Sequence, residues 1–145
     1  MKDQVYRVEY FVLAAEDRPG VGADLSRKLA KEGVNLLAIL EFPTENGKVQ
    51  VDLIPEHSDT LTKAAKKLNL PLGPPKVAFL AQGTDRPGAW AEVLGRLGDT
   101  RINVRATSAV ACGGTRYGGL IWVAPSDVEA ASRALGATTM ATHQV

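Results

Sequence analysis

Apolar residues recur along the chain in patterns that predict short strands and amphipathic helices. Residues 8–14 are rich in Val, Tyr and Phe, which favours a strand. Apolar residues then follow at helical spacing over 21–29, and they alternate over 34–42 and 49–53 as they do in half-buried strands. A second helical spacing covers 61–68. The predicted order is therefore β-α-β-β-α, with room for a short final strand.

The same pattern occurs twice in the chain. The tetrapeptide Asp-Arg-Pro-Gly stands at 17–20 and again at 85–88, 68 residues later, and Asn35 and Asn103 keep this spacing. Matched apolar positions lie between these two landmarks in both copies. Because an internal repeat of this length is the signature of a duplicated structural unit, we predict one domain at 1–72 and a second at 73–145.

The order of elements in each copy is that of a ferredoxin-like unit. We therefore predict an α+β fold of two β-α-β-β-α-β units in tandem, each an antiparallel sheet with both helices on one face. The second copy has room for its final strand within 139–145. In the first copy, the corresponding stretch 70–75 contains three prolines, which cannot donate to a sheet ladder. We expect an edge segment there, leading into the linker.

Local signals mark the predicted ends of these elements. Glycines are expected to end the first helix of each copy, and two-residue turns are expected in the hairpins. Ser-Asp pairs are expected to cap the second helices. The positions are Gly33 and Gly98 for the helix ends, Asn46-Gly47 and Gly113-Gly114 for the turns, and Ser58-Asp59 and Ser126-Asp127 for the caps.

Composition and charge narrow the classes of function. The chain has 145 residues, of which 45% are hydrophobic and 23% charged, with a net charge of +1. These values are typical of a folded protein, and they lack the basic excess that a nucleic-acid or anionic-membrane partner requires. No apolar run is long enough to span a membrane, and the first residues lack a signal core. We expect a cytoplasmic protein without a membrane partner.

Cysteine and histidine are too few for several kinds of site. A single cysteine excludes an internal disulfide framework, and two well-separated histidines argue against a metal centre. The sequence contains no grouping of residues that general acid–base catalysis would need. We therefore predict no catalytic residues, no metal site, no cofactor and no enzyme activity.

The Asp-Arg-Pro-Gly segment is the leading candidate for a binding site. Proline suits the first turn of a helix, and glycine permits close approach of a ligand to the backbone. Free N–H groups at a helix start attract an anion such as the carboxylate of an amino acid. The candidate residues are Asp17, Pro19, Gly20, Val21 and Gly22 in the first copy, with Asp85 and Gly88 in the second. The alternative is structural: the aspartates cap the helices and the glycines only form turns.

Asn35 and Asn103 are candidates of a second kind. Each stands at the start of the predicted second strand, although asparagine is depleted in strands. Its amide both donates and accepts hydrogen bonds, which suits the amino and carboxyl groups of an amino acid. The alternative is a turn residue that follows the helix.

Two such units, each with Asp-Arg-Pro-Gly before the first helix and Asn eighteen residues after the aspartate, resemble paired ACT domains. The resemblance covers nearly the whole chain. It implies a regulatory module that binds an amino acid at domain interfaces. In the similar serine-binding domain of phosphoglycerate dehydrogenase, asparagine stands at the positions of Asp17 and Asp85. A histidine two residues earlier is replaced here by Ala15 and Gly83, so serine specificity is not implied.

Our leading prediction is a regulatory protein that senses an amino acid or a similar small metabolite. The alternative is an interaction module that regulates a partner enzyme or transcription factor without binding a metabolite. An RNA-binding domain shares the order of elements but needs stacking aromatics and a basic sheet, which neither copy combines. Apolar residues of both parities in the strands predict that the units pack together and that the chain forms a homodimer.

The two copies are not expected to be equivalent. Gly22 in the first turn of the first copy aligns with Trp90 in the second. Glycine leaves the backbone open to a ligand, whereas tryptophan either fills the pocket, enters the interface between units or joins the core. On sequence alone, the first copy is the better candidate site.

Overall fold

A computed structural model describes residues 3–140, and these form two compact units. The first unit contains residues 9–76, and the second contains residues 77–140 together with residues 3–8. The expected split lay between residues 72 and 73. The units of the structure change after Lys76, and the second unit also includes the start of the chain.

The first unit has the predicted β-α-β-β-α order. Its elements are β1 (Gln4–Glu16, from residue 9 onwards), α1 (Val21–Lys31), β2 (Leu36–Pro43), β3 (Lys48–Pro55) and α2 (Ser58–Lys67). Strand β3 lies between β1 and β2 and is antiparallel to both. No strand is assigned over residues 70–75, and the Gly73 N–H donates to the Val12 carbonyl of β1 over 2.9 Å.

The second unit repeats this order and adds strand pairing from the start of the chain. Its elements are β4 (Lys76–Thr84), α3 (Ala89–Asp99), β5 (Val104–Gly113), β6 (Arg116–Val123), a 3-10 turn (Pro125–Asp127), α4 (Val128–Leu135) and β7 (Thr138–Thr139). Strand β6 is antiparallel to β4 and β5. The amino-terminal part of β1 lies beside β4 and also pairs in parallel with the short β7. Of the final strand expected within 139–145, residues 141–145 lie outside the described residues.

Each unit has a core between its two helices and one face of its strands. In the first unit, helix residues such as Leu29 and Leu61 pack against strand residues Phe11, Val51 and Leu53. These strand positions are all odd-numbered, so they share one face. The second unit is built in the same way around Phe79, Val93, Leu97, Ile121 and Ala131, and Val5 of β1 joins this core. Both helices of each unit therefore cover the same face, as predicted.

Several predicted boundaries are wrong in detail. Gly98 lies inside α3, and the left-handed residue after this helix is Arg101, with φ of 59°. The turn between β5 and β6 is Gly114-Thr115 rather than Gly113-Gly114, and the β2–β3 connection has four residues. Ser58 is the first residue of α2, and His57 is its N-cap. No helix in the described part of the chain is long and apolar enough to cross a membrane.

Candidate functional site

The Asp-Arg-Pro-Gly loops place a helix start beside the tip of a hairpin. Gly20 and Gly88 are the N-caps of α1 and α3, and each has φ of 85° in the left-handed region that favours glycine. The Asp17 N–H donates to the Gly47 carbonyl over 3.3 Å, and the Asp85 N–H donates to the Thr115 carbonyl over 2.8 Å. Neither helix has a hydrogen-bonding side-chain cap among the described residues, so the aspartates are not the caps that the structural alternative required.

A hollow of about 350 Å³ opens at the loop of the second unit. We call it the second-unit hollow. Its lining comes from the loop, the first turn of α3, the edge strand β5 and one residue of β6. The residues are Asp85, Arg86, Gly88, Ala89, Trp90, Ala91, Ala109, Val110, Ala111 and Tyr117. Two of the predicted site residues, Asp85 and Gly88, are therefore brought together there.

A smaller hollow of about 220 Å³ lies in the first unit, and we call it the first-unit hollow. Of the predicted site residues, only Val21 lines it. The other lining residues are Leu13, Ala14, Ala15, Glu16, Arg18, Asp24, Leu25, Lys28, Leu70 and Pro71. Asp17, Pro19, Gly20 and Gly22 lie in or beside the loop, outside this lining.

Asp24, which lines the first-unit hollow, is already paired with two arginines. The Arg18 guanidinium donates to Asp24 over 3.2 Å, and that of Arg27 donates over 2.8 Å. These two hydrogen bonds, that of Arg18 first, hold the pKa of the Asp24 carboxyl below its usual value. The Asp24 carboxylate is therefore neutralised by its own neighbours.

Asn35 and Asn103 lie at the other end of their units from the loops. Asn35 precedes β2 beside the end of β3, where its Nδ2 donates to Glu56 Oε2 over 2.9 Å. The Asp17 loop lies beside the start of β3 at Lys48, and this strand ends at Pro55. At about 3.3 Å per residue the two ends are roughly 23 Å apart. Asn103 has the same position before β5. One unit therefore does not bring its asparagine and its loop aspartate together.

The two loops differ because of one residue in the second strand of each copy. A Cβ added to Gly22 would lie 2.6 Å from Glu41 Oε2, so the Glu41 carboxylate already lies against the first turn of α1. The register of β5 places Ala109 opposite Gly119, as the register of β2 places Glu41 opposite Val51. Ala109 is therefore the counterpart of Glu41, and its short side chain leaves the second-unit hollow open.

The side chain of Trp90 extends from the start of α3 and packs on β6. Two atoms of its ring lie within 2.7 Å of the position that a Cβ on Gly119 would take, and its ring makes an edge contact with Tyr117 at 5.9 Å between centroids. Trp90 is partly buried against the core of the second unit, and it also forms a wall of the hollow. It thus joins the core of its unit and lines the hollow without filling it.

Solved structures with the same fold include bacterial regulatory proteins. Protein BT0572 from Bacteroides thetaiotaomicron has a TM-score of 0.74 and 21% identity, covering 91% of this chain and 88% of that chain. The ligand-free regulatory subunit of aspartate kinase from Thermus thermophilus has a TM-score of 0.62 and 15% identity, covering 92% and 94%. The regulatory subunit from Thermus flavus has a TM-score of 0.57 and 16% identity, covering 93% and 94%.

These likenesses support a mixed α/β fold with an antiparallel sheet, as in the solved structures. At such low identity they show the fold alone. Neither a family model nor a curated protein sequence matches the chain. Within residues 3–140, no three His, Cys, Asp or Glu side chains are placed to hold a metal ion.

Sequence reasoning missed the strand residues of the second-unit hollow, namely Ala109, Val110, Ala111 and Tyr117. These residues belong to strands and follow the loop by more than twenty positions. Aligning the two copies at the spacing of 68 residues would have paired Ala109 with Glu41 and so indicated the difference. The contact of Trp90 with Gly119 has no comparable local signal, since it joins a helix to a distant strand.

Proposed function

We propose that the chain is a regulatory module of two tandem ACT-type units that binds an amino acid or a similar small metabolite in the second-unit hollow. The observation that carries the proposal is the convergence of a helix start, a loop carboxylate and an apolar wall in one hollow of about 350 Å³. This volume lies in the range of small-molecule pockets. The regulatory domains that share the fold support the same class of function.

The start of α3 supplies the group that would receive a carboxylate. The first helical hydrogen bond runs from the Glu92 N–H to the Gly88 carbonyl at 3.0 Å, so the N–H groups of Trp90 and Ala91 have no acceptor within the helix. The helix dipole adds positive potential at the same end. An amino acid carboxylate would accept hydrogen bonds there.

The hollow also has groups that could bind the ammonium group and the side chain of an amino acid. The exposed carboxylate of Asp85 attracts an ammonium group, and Trp90 with residues 109–111 forms an apolar wall for the side chain. The first-unit loop is the weaker candidate, because Glu41 already brings an anion to the start of α1. This geometry favours the second copy, whereas the comparison of Gly22 with Trp90 had favoured the first.

A thermal-shift panel of the twenty amino acids tests the proposed function. A ligand at 100 times its dissociation constant stabilises the folded state by about 2.7 kcal/mol, and we expect at least one amino acid to do so. The shift should vanish in Asp85→Ala and persist in the matched variant Asp17→Ala. A panel without any shift would contradict the proposal, and loss of the shift only in Asp17→Ala would move the site to the first unit.

A second candidate function, protein–protein interaction, is favoured by the edge strands. Among the described residues β5 pairs only with β6, none of its residues is buried, and Val110 is 63% exposed. In the first unit, the edge strand β2 exposes Ile39 and Phe42. Unpaired strand edges with apolar side chains are templates for pairing with another chain. We propose a second copy of this chain as the partner at β5, which gives a homodimer.

Sedimentation over micromolar concentrations tests the homodimer. Val110→Lys should shift the equilibrium towards monomer, because it places a charge within the pairing edge. Ser26→Lys adds the same charge on the exposed face of α1 and should leave association unchanged. A strict monomer for the unmodified chain would refute the homodimer and leave this edge for a different protein, such as a regulated enzyme.

A further inference from the structure

The side chain of Asp3 is buried in the second unit between two arginines. Its side chain is 4% exposed, its Oδ1 lies 3.9 Å from Arg86 Nη1, and its Oδ2 lies 3.9 Å from Arg96 Nη2. Asp3 immediately precedes β1, whose first residues lie beside β4. A carboxylate from the start of the chain is thus placed beneath the Asp-Arg-Pro-Gly loop of the second unit.

Because Gly83 has no side chain, the Asp3 carboxylate has room beside it. A Cβ on Gly83 would overlap Asp3 Oδ1, and it would lie 2.8 Å from a ring carbon of Tyr117. The strand register pairs Gly83 with Tyr117, whereas in the first unit it pairs Ala15 with Val49. Where the first copy has an alanine and a valine, the second copy therefore has a glycine and a tyrosine.

Polar atoms in this cluster are buried without hydrogen-bond partners. Among residues 3–140, neither Asp3 Oδ1 nor the Tyr117 hydroxyl has one, although both atoms are inaccessible to solvent. Burial, together with the negative charge of Asp3, raises the pKa of Tyr117 to about 12. The hydroxyl therefore keeps its proton at neutral pH and remains available as a donor.

We propose that Arg86, Arg96 and the Tyr117 hydroxyl form a carboxylate-binding site that the chain fills with its own Asp3. The Asp3 carboxylate lies between two guanidinium groups, of which Arg86 also pairs with Glu92, and the Tyr117 ring borders the same space at Gly83. Guanidinium groups are the side chains best suited to a carboxylate. Because Asp3 is tethered, its effective concentration is on the order of millimolar or higher. A free carboxylate must therefore exceed this concentration before it displaces Asp3 from the unmodified protein. The site exists whether or not the second-unit hollow binds an amino acid.

Chemical rescue with acetate tests this site. Asp3→Ala removes the internal carboxylate, so acetate should raise the melting temperature of this variant in a saturable way, compared with sodium chloride at equal ionic strength. The unmodified protein should not respond, and the double variant Asp3→Ala, Arg96→Gln should lose the response. Absence of a specific acetate effect in folded Asp3→Ala, or an equal effect in the unmodified protein, would overturn the proposal.

A second variant keeps the proposal testable if Asp3→Ala does not fold. Asp3→Asn preserves the shape of the side chain and removes its charge. The pKa of Tyr117, followed by ultraviolet absorbance and assigned with Tyr117→Phe, should fall in this variant because the adjacent negative charge is gone. An unchanged tyrosine titration would show that Asp3 does not occupy the site.

Discussion

Replacing Ala109 with glutamate should strongly weaken amino-acid binding in the second-unit hollow. In the first unit the corresponding Glu41 places its carboxylate against the first turn of α1. A glutamate at 109 brings the same anion to α3, where it competes with a ligand carboxylate and fills part of the hollow. An anion at a partly buried helix start is worth up to about 2 kcal/mol, which corresponds to a loss of affinity of roughly thirtyfold before any steric effect. Calorimetry with the amino acid found in the thermal-shift panel measures this loss.

Two further variants serve as controls. One separates the effect of the glutamate charge from that of its size, and the other tests whether the first unit contributes to binding. Ala109→Gln has the size of the glutamate without its charge, so it should weaken binding less. Glu41→Ala removes the internal anion of the first unit and should leave binding in the second unit unchanged. Ala109 is exposed, so its substitution should change the free energy of unfolding by only about 0.5 kcal/mol. Full affinity in folded Ala109→Glu would place the ligand elsewhere.

The order of helices and strands was predictable because it depends on local periodicity. Leu25 and Leu29 of α1 are buried at the expected helical spacing, and Val49, Val51 and Leu53 of β3 share one buried face. The extent of β1 was not predictable in the same way. The strand was expected over 8–14, whereas it runs over Gln4–Glu16, and its first residues lie beside strands of the second unit. Pairing with strands far along the sequence leaves no periodic signal.

The end of α3 does not follow the glycine signal in the sequence. Gly98 matches the usual signal for a helix end, yet its angles are helical and Arg101 takes the left-handed position instead. The Arg101 N–H donates to the Gly98 carbonyl over 3.0 Å, so the capping geometry forms without glycine at that position. In the first copy, Gly33 occupies the corresponding position with φ of 76°.

The candidate site was predictable at the level of the loop but not of its lining. The position of each Asp-Arg-Pro-Gly loop before a helix follows from the sequence pattern. Asn35 follows α1, which runs back along the sheet, so its distance from the Asp17 loop is implied by the order of elements. Whether the space beside each loop is open or filled depends on a residue of another strand, which is Glu41 in the first unit and Ala109 in the second. Only the three-dimensional register connects these positions.

Gly119→Val should destabilise the second unit, and removal of the Trp90 ring should suppress much of that effect. A Cβ at 119 would lie 2.7 Å from Trp90 Cζ3 and would also touch another atom of this ring. Overpacking of this kind costs about 1–3 kcal/mol, and Trp90→Ala alone should cost about 3 kcal/mol. The first unit has the complementary arrangement, with Val51 on its third strand and Gly22 at the start of its helix. The double variant therefore approaches a packing that the chain already uses.

Urea denaturation of the two single variants and the double variant measures the coupling between these positions. We expect the double variant to be more stable than the sum of the single effects by about 1–3 kcal/mol, as found for residues in contact. Recovery should be incomplete, because a Cβ at 119 also lies 2.9 Å from the Ser108 carbonyl oxygen and β5 must shift slightly. Gly98→Val is the matched control, since a Cβ there meets nothing within 4 Å and its effect should add to that of Trp90→Ala. Strict additivity of Trp90→Ala and Gly119→Val would show that the ring does not occupy the space above Gly119.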